Sequence, residues 1–415
     1  QYMKKRALTS VVIGRDARHG SDVFEKISAE IFSGAGIAVH VLPRPLPTPV
    51  LAFAVNELGA DVGIMVTASH NPGSDNGYKV YLGGNVDGVT YRGSQIISPA
   101  DLEISAEIQK ISSLKSVKRE QAWEVLNEEI VEKYVERTKI LAPHPGELKI
   151  VYTAMHGVGT KTLQRVFHRA GFPSLILVQA QSQPDPDFPT LPFPNPEEAG
   201  ALDLAIETAK TFDADLVIAN DPDADRCSIA IKDHDSSWRA LRGDEIGAIL
   251  GEVIARNSSA GTLANSIVSS SILSKIAKNY GLDFQETLTG FKYIAKIPNL
   301  LFGYEEAIGF CVDARTVNDK DGISAALYLA QIATDLKAQG KTLLDLLDEI
   351  WEKYSFHATE QISIRVTNIS HISSVMVNLR RNPESQIAGF QVLAFEDLNQ
   401  PHNGLPPTDG LRFTL

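Results

Sequence analysis

The stretch Asp61-Val62-Gly63-Ile64-Met65-Val66-Thr67-Ala68-Ser69-His70-Asn71-Pro72 decides the fold. Val62 to Val66 is an unbroken apolar run of strand length, the pattern of a strand buried on both faces. The second half of the stretch is polar and ends on Asn71-Pro72, where the residue before proline is held out of the helical region. A buried strand running into a polar loop is the unit of an open α/β sheet, which gathers its ligands at strand ends. Ser69 stands in that loop as one exposed hydroxyl.

Outward from this point, strand and helix patterns alternate. Upstream, residues 10–14 read as a short strand followed by Arg15-Asp16-Ala17-Arg18, then a helix over 22–34 and a strand over 37–42. Pro43, Pro45, Pro47 and Pro49 impose an extended loop before a helix over 49–58. Downstream, residues 77–82 form another strand. A second unit carries strands at 148–154, 174–178 and 215–219, helices at 159–170 and 197–212, and an irregular proline-rich loop over 184–196. A third carries helices at 244–256, 271–280, 322–337 and 343–354 and a strand at 262–268. A strand pattern returns over 357–366, and residues 411–415 read as a strand cut before its partner. The fold class expected is α/β: three similar mixed α/β domains over 1–140, 141–243 and 244–358, then the start of a smaller C-terminal α+β domain over 359–415.

The gross numbers agree with several domains, because 415 residues exceed what one core usually holds. A net charge of −12 without a long Lys/Arg run argues against nucleic acid, so an anionic ligand has to be met by local cations. Two cysteines without CxxC spacing and no apolar run of membrane-spanning length point to a soluble, cytoplasmic protein.

The second decisive stretch is Asp221-Pro222-Asp223-Ala224-Asp225-Arg226. Apolar runs flank it on both sides, and three carboxylates wedged between buried strands repel unless a cation joins them. An EF-hand is excluded, since the sixth position is Arg226 and the twelfth is Lys232. Hard oxygen donors without His or Cys suit Mg²⁺. Arg226 follows as a forked donor for phosphoryl oxygens. A hydroxyl that carries a phosphoryl group needs such a metal and such a cation, so Ser69 joins the triplet. Taken alone, a loop serine most often makes turn hydrogen bonds, and no G-x-S-x-G elbow is present. His70 contacts phosphate or packs locally in this reading.

Arg15 is the phosphate candidate at the first strand end, while Arg18 reads equally as a local ion pair. Lys79 and Lys292, each beside apolar sequence, are proton acceptors if desolvation lowers their pKa. Thr289 and Gly290 precede Lys292 in a candidate substrate loop. Glu305 and Glu306, bounded by Gly303 and Gly309, are candidates for accepting two sugar hydroxyls.

Together these residues resemble the α-D-phosphohexomutases, of phosphoglucomutase/phosphomannomutase type. Thr67-Ala68-Ser69-His70-Asn71-Pro72 is similar to the phosphoserine loop, Asp221 to Arg226 to the metal loop, and Gly303 to Gly309 to the sugar-recognition loop, in the family's order. The resemblance covers nearly the whole chain. It implies four domains around a central cleft. It also implies that Ser69 is phosphorylated at rest and that Asp221, Asp223, Asp225 and a phosphoserine oxygen bind Mg²⁺. The implied activity interconverts hexose 1- and 6-phosphates through a sugar bisphosphate, with glucose 1,6-bisphosphate as activator, in a monomer or homodimer. Glucose is favoured, then mannose, then ribose or deoxyribose. Two departures stand out. Tyr304-Glu305-Glu306-Ala307-Ile308-Gly309 replaces the common Gly-Glu-x-Ser-Gly, similar to the branch with phosphopentomutases. A clamping loop of Arg-Pro-Ser-Gly-Thr type is not among these 415 residues, so a weak grip on the non-reacting phosphate is expected. A metal-dependent phosphatase and a non-catalytic sugar-phosphate binder are the rival classes.

Overall fold

The computed structural model describes residues 1–364, 366–400 and 405–415. The chain divides into two compact units, Gln1–His357 and Ala358–Leu415.

The larger unit holds three main sheets, of six, five and four strands. In the first, Ala38–Val41, Ser10–Arg15 and Val62–Val66 run parallel, and Tyr78–Leu82 joins antiparallel beside Val62–Val66. In the second, Ile176–Leu177, Ile150–Thr153 and Leu216–Asn220 run parallel, with Cys227–Lys232 antiparallel. In the third, Asp283–Thr287, Thr262–Ser266 and Leu300–Glu305 run parallel, with Gly309–Cys311 antiparallel. One strand order, second-first-third-fourth, therefore recurs three times. Each time, the link from third to fourth strand is a short reversal: residues 67–77, 221–226 and 306–308. These are the three loops that the sequence singles out.

Side-chain alternation explains why the sheets are covered on both faces. Along Ser10–Arg15, Val11 and Ile13 join Val39, Val41, Val62 and Ile64 in one core, while Val12 joins Met65, Val50 and Leu51 in another. The first core lies under the helix Ser21–Gly34 and the second under Thr48–Glu57. Helix Gly159–Ala170 buries Leu163, Val166 and Phe167 on one stripe and stops at Gly171, whose φ of 93° suits glycine.

A polar strut joins the first sheet to the third. The Lys296 ammonium lies 4.3 Å from the Tyr91 ring centroid and donates to the Gln95 carbonyl at 2.9 Å and to Ser94 Oγ. Gln95 Nε2 donates to Asp319 at 2.9 Å, and Asn318 Nδ2 donates to the carbonyls of Tyr91 and Ala295, each at 2.9 Å.

Several expectations need correction. The helix expected over 197–212 is Asp203–Phe212, because Gly200 takes a left-handed φ of 82° and turns precede the first helical turn. The strand expected over 174–178 shrinks to Ile176–Leu177. No strand forms over 357–364 or at 366; Ile362 and Ile364 are exposed, and Arg365 lies outside the described residues. Alternation without a neighbouring strand to complete the ladder does not make a strand. Among its described residues the smaller unit has a helix, Ser370–Arg381, and two two-stranded sheets, one of them pairing Gln386–Ile387 with Phe390–Gln391. Its final strand, Leu411–Thr414, is not cut from its partner: it pairs antiparallel with Ala394–Asp397, and Phe395 meets Phe413 at 5.0 Å.

Candidate active site

The Val62–Val66 strand delivers the Ser69 loop, and Arg18 holds it. Arg18 is buried and paired with Asp16 at 3.2 Å. Its two terminal nitrogens donate to the carbonyls of Ser69 at 2.6 Å, Asn71 at 2.7 Å, Pro72 at 2.8 Å and Asp75 at 3.3 Å. Burial pushes the Asp16 carboxyl up, against hydrogen bonds from Ser21 and Thr67. Within the loop Ser69 takes a φ of 52°, and its N–H donates to Thr67 Oγ1 at 2.9 Å. That left-handed backbone is uncommon for a residue with a Cβ.

The Leu216–Asn220 strand delivers the acidic loop. The aspartates converge through a turn, with Ala224 at φ 54°. All three are buried, and one oxygen from each lies within 4.8 Å of the others. Ser69 Oγ donates to Asp221 Oδ2 at 2.9 Å, across 152 residues of sequence. The Arg226 N–H donates to Asp221 Oδ1 at 3.0 Å. Burial, then the charges of Asp223 and Asp225, push Asp221 far above the usual carboxylate range. Asp223 Oδ1 and Asp225 Oδ1 are buried with no hydrogen-bond partner. Unpartnered carboxylate oxygens beside a hydroxyl, all hard donors, fit a small divalent cation.

Lys79 differs from its expected state. Its ammonium lies 2.6 Å from both Asp223 and Asp225. Burial opposes the charge, but the two carboxylates outweigh it and raise the pKa, so desolvation does not turn Lys79 into a base here. A second ammonium, Lys320, is buried 3.5 Å from Asp225. Against its burial, Lys320, Lys79 and Arg226 hold Asp225 well below the usual range. Arg226 Nη1 donates to the Ala307 carbonyl at 2.8 Å and so ties the acidic loop to the 306–308 loop.

His70 Nδ1 lies 3.4 Å from Ser69 Oγ, and its ring packs edge-on against Phe193 at 6.0 Å. Burial, then Arg226, lowers its pKa to about 4, leaving a neutral imidazole. Arg15 is paired with Glu25 at 3.1 Å at the end of the first strand. Lys292 lies on the short helix Phe291–Ile294, its ammonium 5.3 Å from the Tyr293 ring.

Glu305 and Glu306 are not an exposed acidic pair. Glu305 is buried and accepts the Gly290 N–H at 2.7 Å. Glu306 accepts from Ser266 Oγ at 2.8 Å and Ser269 Oγ at 3.0 Å. Thr289 is exposed beside Gly290, whose φ of 117° turns the chain into the Lys292 helix. Sequence reading passed over Lys320, the clamping geometry of Arg18, Ser266 and Ser269, and Thr48, whose hydroxyl donates to Asp223 Oδ2. Only Arg18 and Lys320 carried a signal, as charges bordering apolar segments.

Known proteins show the same organisation. The phosphoglucomutase/phosphomannomutase alpha/beta/alpha domain I matches residues 1–115, domain II residues 128–234 and domain III residues 242–354. A "Probable phosphomannomutase" of Haemophilus influenzae is 49% identical over 393 residues, covering 94% of this chain and 80% of that protein. The phosphopentomutase of Mus musculus is 34% identical over 446 residues, covering 96% and 69%. Among solved structures, a phosphoglucomutase/phosphomannomutase family protein of Burkholderia thailandensis shares the fold, with a TM-score of 0.74 at 21% identity, covering 94% of this chain and 80% of that one. With a serine hydroxyl joined to an acidic triad on this repeated scaffold, the chain belongs to the phosphoglucomutase/phosphomannomutase family of phosphosugar mutases, the α-D-phosphohexomutases.

Proposed function

We propose that this mutase interconverts hexose 1-phosphate and hexose 6-phosphate through phosphorylated Ser69 and a sugar bisphosphate. The observation that carries the reading is the 2.9 Å approach of Ser69 Oγ to Asp221, beside buried carboxylate oxygens without partners. Asp221, Asp223 and Asp225 would hold Mg²⁺ together with a phosphoserine oxygen. When bound, the ion neutralises charge on the transferring phosphoryl group. Arg226 stabilises the same oxygens from its anchored position. Arg18 keeps the Ser69 hydroxyl aimed by fixing the carbonyls around it. Lys292 is the candidate acceptor for the sugar hydroxyl proton, while Lys79 and Lys320 stay charged beside the acidic loop. Glu305 and Glu306 recognise sugar hydroxyls, Arg15 and His70 meet phosphate oxygens, and Thr289, Gly290 and Lys292 contact the substrate. Glucose 1,6-bisphosphate would serve as activator, re-phosphorylating Ser69 after each loss of the bisphosphate.

Glucose and mannose stand together as the hexoses, since the relative of 49% identity bears a phosphomannomutase name. A pentose reading comes second, on one observation: Tyr304 to Gly309 departs from the common hexose loop, and a phosphopentomutase is 34% identical.

Intact-mass measurement and parallel assays on glucose, mannose and ribose 1-phosphates test the proposal. One phosphoryl group is expected on the resting protein, and Ser69→Ala is expected to reduce turnover by on the order of 10⁴-fold or more. Near-normal isomerisation by that variant would overturn the proposal. Release of free phosphate faster than isomerisation would select a phosphatase.

A further inference from the structure

We propose that Thr48 sets metal selectivity: it commits one oxygen of Asp223 to the protein and leaves the other as a single-point ligand. The inference rests on the metal reading above. Thr48 opens the helix Thr48–Glu57, directly after the proline-rich loop, and belongs to the first sheet's domain. It is fully buried against the acidic loop of the second. Its N–H donates to the Asp223 carbonyl at 2.9 Å, and its Oγ1 donates to Asp223 Oδ2. Lys79 takes the same Oδ2 at 2.6 Å. Asp223 Oδ1 has no partner.

Two donors on Oδ2 and none on Oδ1 make the carboxylate asymmetric. A cation meeting this side chain finds one free oxygen, not a fork. Mg²⁺ and Mn²⁺ accept six monodentate oxygens at short distance, whereas Ca²⁺ gains from bidentate carboxylates and longer bonds. The hydroxyl also fixes the rotation of the carboxylate, as partners of metal ligands do elsewhere, where their loss typically costs about 10–100-fold in affinity. Pro47 and Pro49 on either side of Thr48 stiffen the backbone that presents this hydroxyl. The backbone bond from Thr48 anchors the loop whatever side chain stands there, so the hydroxyl acts on the carboxylate and not on the fold.

The test is direct Mn²⁺ binding to the non-phosphorylated protein, read by electron paramagnetic resonance, with Mg²⁺ and Ca²⁺ as competitors. Thr48→Val and Thr48→Ala should each weaken Mn²⁺ binding by about 10–100-fold and narrow the preference for Mg²⁺ over Ca²⁺. Thr48→Ser keeps the hydroxyl and should retain both. Circular dichroism and thermal unfolding monitor the fold, and Thr48→Ala serves if Thr48→Val overfills the site. Unchanged affinity and selectivity in Thr48→Ala, or equal losses in Thr48→Ser and Thr48→Ala, would overturn the inference. Failure of the wild-type protein to bind Mn²⁺, by contrast, would strike the metal reading itself.

Discussion

Arg18 shows how one residue can serve a site without facing the ligand. Four carbonyls converge on its guanidinium, and a buried carboxylate balances its charge. Lysine offers one nitrogen where arginine offers a planar fork, so Arg18→Lys cannot span the same carbonyls. Arg18→Ala removes one partner of a buried pair, a change that costs about 3–5 kcal/mol in comparable cases. Denaturant unfolding should show that loss, while kcat falls and KM changes little, because the loop and not the ligand contact is released. Ser69 and the three aspartates were legible because their chemistry is written in short local runs. Thr48 and the serines around Glu306 were not, because what matters there is a neighbour far away in the chain. Lys79 illustrates the cost: its apolar flanks point to a lowered pKa, yet Asp223 and Asp225 meet it from positions 144 and 146 residues downstream.

Helix starts press against the functional loops. Gly243 opens the helix Gly243–Arg256, and a Cβ there would stand 1.8 Å from the Glu306 carbonyl oxygen. Gly322 opens Gly322–Lys337, and a Cβ there would stand 2.2 Å from the Arg226 carbonyl oxygen. Backbone oxygens cannot swing aside as a side-chain tip would. Gly243→Ala should therefore displace the 306–308 loop and lower kcat/KM by on the order of 10²-fold, as misplacements of about 1 Å do. Circular dichroism should remain near wild type. Element positions were readable from apolar runs and stop signals: the helices expected over 159–170, 322–337 and 343–354 match Gly159–Ala170, Gly322–Lys337 and Leu343–Tyr354. The failures came where alternation lacked a neighbouring strand, as over 357–364, or where turns delayed a helix, as before Asp203.

Across the larger unit, the Lys296 strut makes the union of the first and third sheets sensitive to pH. Burial lowers the Lys296 pKa to about 7, an effect that Asp319 only partly offsets. Between about pH 7 and the ordinary lysine value near 10.4, the unfolded chain binds a proton that the folded chain does not, so stability rises with pH across that window. Below about pH 7 both states hold the proton and the burial penalty is in full force. Thermal unfolding from pH 6 to 9 should show a rising midpoint, and Lys296→Met should flatten that rise. No sequence pattern announces such a strut, since Ser94 and Gln95 lie about 200 residues from Lys296. The recurring strand order has a further consequence. Each reactive corner hangs from its own ladder of hydrogen bonds, so insertions or exchanges at one tip leave the registers of the other two untouched. Descendants of such a scaffold are free to vary one corner in length and sequence while the other two are inherited unaltered.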